Sequence, residues 1–71
     1  MDPQATWRYL IDAYAIRDLK TAREVAVDLR GWLTGGGFPP QILPDPWQMD
    51  ESWNRTLALE ACRFILSKCE A

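Results

Sequence analysis

No helix can run from Gly35 to Pro46. The stretch GGGFPPQILPDP puts three consecutive glycines and four prolines into twelve residues. Each proline lacks the N–H that a helical turn needs and restricts the residue before it, and glycine raises the entropic cost of any helix. The 71-residue chain is therefore divided into two parts that must meet across this segment. Both parts carry the 3.6-residue apolar period of helices, and neither shows the alternation of strands. The sequence predicts one all-α domain over residues 1–71, with helices at about 3–17, 21–34 and 51–68. The expected arrangement is an antiparallel helix hairpin plus a central C-terminal helix, with residues 35–50 as a Gly/Pro-rich extended crossover. A chain this short buries only about 60% of the surface of its unfolded form. Its four tryptophans suit a core built from few positions.

In the first helix, Asp2 is the expected N-cap with Pro3 at the first helical position. Trp7, Leu10, Ile11 and Tyr14 fall on one stripe. Tyr9 and Ile16 project from nearly the opposite side. Either the helix ends near Ala15 and Ile16 folds inward, or a second apolar strip is left for another contact. In the second helix, Thr21 and Glu24 have capping-box spacing, which places the start at Thr21. Ala22, Val25, Ala26, Leu29 and Leu33 form its stripe, with Trp32 at the edge and Val27 off it. Gly31 either allows a close helix approach or marks early fraying, and Gly35 to Gly37 end the helix.

The third helix, capped by Asp50, differs. Trp53, Leu57, Ala61 and Phe64 lie on one side, while Ala58, Leu59, Cys62, Ile65, Leu66 and Cys69 continue past half the circumference. An arc that wide predicts a central helix, or one partly covered by a second copy of the chain.

Within the crossover, the glycine run is no phosphate loop. It follows a helix C-terminus, the negative end of the dipole, and lacks the Lys-Ser/Thr completion. The prolines make the segment a stiff strap. The expectation is that Phe38, Ile42 or Leu43, and Trp47 plug into the core, in preference to docking a partner.

Composition excludes several classes of function. Eight Lys and Arg against ten Asp and Glu give a net charge of −2, with the basic residues scattered, so no nucleic-acid partner is expected. No apolar run approaches the roughly 18 residues of a membrane span, and no basic region precedes an apolar core at the N-terminus, so a cytoplasmic location is expected. With no histidine, the commonest general base is missing, and no base is evident beside any Ser or Cys. No enzymatic activity, metal or cofactor is expected. Cys62 and Cys69 would sit about 10 Å apart on one helix, beyond disulfide reach, and read as reduced apolar residues. Glu60 and Arg63 read as an exposed intrahelical pair.

The sequence thus predicts a small, non-catalytic interaction module that binds a protein partner or itself, as a homo-oligomer. Its expected contact residues are Tyr9, Ile16, Val27, Phe38 and Trp47. The alternative is a small regulatory subunit that takes an apolar ligand into a pocket framed by Trp32, Trp47 and Trp53.

Overall fold

The computed structural model describes residues 1–70. The chain is all-α, with α1 (Pro3–Ala15), α2 (Leu19–Thr34) and α3 (Glu51–Cys69), and the described residues contain no strand. Each helix begins on an aspartate. The Asp2 carboxylate accepts the Gln4 and Ala5 N–H groups at 3.1 and 3.2 Å, and Asp50 accepts Trp53 N–H at 2.7 Å.

The first turn differs from the sequence expectation. α1 stops at Ala15 rather than Arg17, because Arg17 adopts a left-handed φ of 61°. Asp18 N–H then reaches the Ala13 carbonyl at 2.9 Å, and Arg17 N–H the Tyr14 carbonyl at 3.0 Å, the paired bonds of a Schellman cap. Ile16 is left 77% exposed and does not fold inward. α2 starts earlier than Thr21, because the Asp18 carboxylate accepts the Thr21 N–H at 3.3 Å. Aspartate outranks threonine as an N-cap, so the Thr21–Glu24 box does not set the boundary.

The end of α2 repeats the same cap with glycine in the strained position. Gly36 has φ 95°, Gly37 N–H bonds the Trp32 carbonyl at 2.9 Å, and Gly36 N–H the Leu33 carbonyl at 3.3 Å. Gly37 is required for a different reason: a Cβ there would overlap the Trp32 indole. Arg55 of α3 completes the cap by donating Nη1 to the Leu33 and Gly37 carbonyls at 2.7 and 2.9 Å. Gly31, by contrast, lies within α2 with open space where a Cβ would be, so it neither frays the helix nor admits a close neighbour. Gly31→Ala is therefore expected to stabilise the fold by about 0.5–1 kcal/mol. A thermal melt should rise by about 2–8 °C, since each kcal/mol is worth about 4–8 °C in a domain of this size. A fall would show that Gly31 has a packing role.

The middle helix is α2, not α3. It packs against both other helices, whereas α1 and α3 touch each other little. All five residues of the predicted α2 stripe are buried. Opposite them, α1 buries Pro3, Leu10 and Ala13, and α3 buries Asn54, Ala58, Cys62, Ile65 and Leu66. With one main helical neighbour, α3 covers only part of its apolar arc. Leu57 and Phe64 stay exposed, as does Ile11, which the α1 stripe had placed in the core.

The strap (residues 35–50) is tied to both outer helices through Gln41. Gln41 N–H donates to Gln4 Oε1 at 2.7 Å, and Gln4 Nε2 donates to the Gln41 carbonyl at 3.2 Å. On the other side, Asn54 Nδ2 donates to Gln41 Oε1 at 3.0 Å and Asn54 Oδ1 accepts Ile42 N–H at 3.3 Å. Pro40 is fully buried, and Ile42 packs against the core. Phe38 and Trp47 do not plug inward: they are 58% and 59% exposed. The Trp32 indole already occupies the inner position beside Gly37. Its Nε1 donates to the Phe38 carbonyl at 2.8 Å, and the Phe38 ring meets its edge at 5.8 Å. Trp47 closes a turn by donating its N–H to the Pro44 carbonyl at 3.1 Å, on the outer side of the strap.

Candidate interaction surface

The five contact residues expected from sequence are all exposed, but they sit on separate parts of the molecule. Tyr9 and Ile16, seven residues apart, share one flank of α1. Val27 lies in a shallow depression of α2 beside Arg23, Glu24 and Asp28. Phe38 and Trp47 stand on the strap.

A larger apolar surface lies on the opposite flank of α1. Trp7, Ile11 and Tyr14 recur at i, i+4 and i+7, and Leu57, Ala61 and Phe64 do the same on α3. The two rows meet where Tyr14 and Phe64 pack edge to face, with ring centroids 6.2 Å apart and planes at 81°. Trp7 and Tyr14 rest partly on the core, while Phe64 is 53% exposed. Towards the N-terminus of α1 the surface deepens into an open cleft of about 260 Å³ between α1 and the strap. Trp7, Ile11, Ile42, Leu43 and Pro44 supply its apolar lining, and Arg8 and Asp12 its charged groups.

Cations sit on both rings of the aromatic pair. The Arg17 guanidinium lies 4.5 Å from the Tyr14 ring centre, and the Lys68 ammonium 5.2 Å from that of Phe64. Glu60 and Arg63 form the expected pair at 3.2 Å on the solvent side of α3.

Trp32, Trp47 and Trp53 do not line this cleft. Trp32 is committed to Gly37 and Phe38, Trp47 faces solvent, and Trp53 sits in the first turn of α3. The cysteines are free thiols. Burial pushes the Cys62 pKa up to about 11, against a smaller lowering by Arg30, so at neutral pH it is a packed thiol rather than a nucleophile. Cys69 Sγ contacts the Leu19 carbonyl at 3.4 Å and joins the end of α3 to the start of α2.

Of the α1 stripe expected in the core, Trp7 and Tyr14 do pack against it and Ile11 does not, while Leu57 and Phe64 lie on the α3 arc that a central position or a second copy was expected to cover. The available signal was the excess breadth of the α3 arc, which three helices of this length cannot cover. Among the described residues, no helix is long and apolar enough to cross a membrane. Compared with known families, curated proteins and solved structures, the chain matches none of them.

Proposed function

We propose that this all-α chain is a small cytoplasmic interaction module, without catalysis of its own, that binds a protein partner through apolar surface its own fold leaves uncovered. The observation that carries the reading is the half-buried Tyr14 paired with the exposed Phe64, flanked by the exposed Ile11 and Leu57, on a domain with little core to spare. Apolar side chains scattered singly over a surface need no explanation, but a contiguous aromatic and aliphatic face does. Tyr and Trp are also the residue types enriched at binding hot spots. The reading treats α1 and α2 as an antiparallel hairpin and the strap as a fixed crossover that holds α3 beside them.

The experiment separates surface from core. Phe64→Ser is expected to cost no more than about 1.5 kcal/mol in urea unfolding, the worth of its edge-to-face pair with Tyr14. It is expected to abolish co-purification of the partner that the unaltered tagged chain retains. A loss of about 3 kcal/mol or more would make Phe64 a core residue and overturn the reading.

A further inference from the structure

We infer that the α1–α3 face pairs with the same face of a second copy of the chain about a two-fold axis, an inference that rests on the interaction reading above. The register of the two helices carries it. Gln4 of α1 and Asn54 of α3 both bond Gln41, and further along the same helices Tyr14 packs on Phe64. Asn54 follows Gln4 by fifty positions, and Phe64 follows Tyr14 by the same fifty. The helices therefore run parallel and level. Trp7, Ile11 and Tyr14 stand beside Leu57, Ala61 and Phe64, two rows of equal spacing with the smallest side chain in the middle of each. A two-fold axis crossing both rows at their midpoints sets Trp7 against the partner's Tyr14 and Leu57 against the partner's Phe64, with Ile11 and Ala61 beside the axis.

Shape and charge agree with that exchange. One end of the face carries the exposed Phe64 ring, and the other holds the open cleft of about 260 Å³ beside Trp7. The axis lays the raised end of each copy over the hollow end of the other. Arg8 and Asp12 lie one turn apart on the rim of that cleft, and neither is in an ion pair: Glu60–Arg63 is the salt bridge among the described residues. The two positions fall on opposite sides of the axis, so Arg8 meets the partner's Asp12 and Asp12 meets the partner's Arg8. Around the face as a whole, Arg8, Arg17 and Lys68 are balanced by Asp12, Asp18 and Glu60. Such a balance suits a surface that must complement itself, and it favours neither an acidic nor a basic partner. A second copy also covers the part of the α3 arc that α2 leaves bare.

The test follows the molar mass of the full chain by sedimentation equilibrium over a concentration series, with Arg8→Asp and Asp12→Arg as variants. The unaltered chain is expected to approach twice the monomer mass at high micromolar concentration. Each variant sets like charges together twice per dimer, and should dissociate about tenfold more readily at low salt. High salt should narrow that difference. An equimolar mixture of the two variants restores both opposite-charge contacts and is expected to recover the affinity of the unaltered chain. Both positions are exposed, and circular dichroism should show both variants folded. Monomer mass at every concentration would overturn the second-copy inference, and the Phe64→Ser experiment then decides the interaction reading separately. A dimer indifferent to both charge changes would overturn it as well, as would a mixture no tighter than its separate variants, because the copies would then meet elsewhere.

Discussion

Replacing Leu29 with alanine is expected to remove about 3 kcal/mol of stability, within the range of about 2–5 kcal/mol for a buried leucine. Leu29 is completely buried at the centre of α2, the helix on which both others pack. Its loss therefore opens a cavity in the core cluster that all three helices build. A domain of this length holds only about 4–10 kcal/mol in total. The variant should consequently populate unfolded chain at modest urea concentrations, with a melting temperature lower by about 12–24 °C. Ile11→Ala supplies the contrast. A domain with α3 at its centre and Ile11 in its core, as the apolar pattern suggested, would lose as much from Ile11 as from Leu29. In the observed arrangement Ile11 is exposed, and its truncation should cost less than about 1 kcal/mol in the same urea series. Comparable losses at the two positions would show that Ile11 is buried and overturn its place on the exposed face.

The contrast also explains what the sequence made legible. The α2 stripe was readable because its apolar period and its glycine terminus agree, and all five residues are buried. In α1 the stripe was legible in part: Leu10 is buried and Trp7 and Tyr14 pack against the core, but Ile11 is exposed, while the smaller Pro3 and Ala13, which the stripe omits, are buried. The turn at Arg17 could not be read, since arginine has no preference for left-handed φ and takes it here under the constraint of the Schellman bonds. Single exposed residues such as Tyr9, Ile16 and Val27 were legible as departures from a stripe. The α1–α3 face was not, because it exists only once two helices distant in sequence are laid on a common third.

Polar side chains hid most completely, and Asn54 shows why. In the first turn of a helix an asparagine reads as a solvated residue, but Asn54 is only 4% exposed and holds the strap in place. Its Oδ1 accepts Ile42 N–H, and its Nδ2 donates to Gln41 Oε1 and to the Met49 carbonyl at 3.3 Å. No buried side-chain nitrogen or oxygen among the described residues lacks a partner. Asn54→Ala is expected to cost about 2–3 kcal/mol, because it strands main-chain groups of the strap as well as removing bonds worth about 0.5–1.5 kcal/mol each. Asn54→Leu should not rescue it, since apolar volume cannot satisfy the Ile42 N–H or the Met49 carbonyl. The loss should also be local. Hydrogen exchange at Gln41 and Ile42, whose N–H groups bond Gln4 and Asn54, is expected to accelerate well beyond that at Leu29. Stability gained in Asn54→Leu, or strap amides that exchange equally fast in the unaltered chain, would show that side-chain packing of Pro40 and Ile42 holds the strap instead. The distinction reaches the proposed surface, because Ile42 and Leu43 line the cleft beside Trp7. A strap released by Asn54→Ala removes one wall of that cleft, and co-purification of the partner should weaken even though no residue of α1 or of the Tyr14–Phe64 pair has been altered.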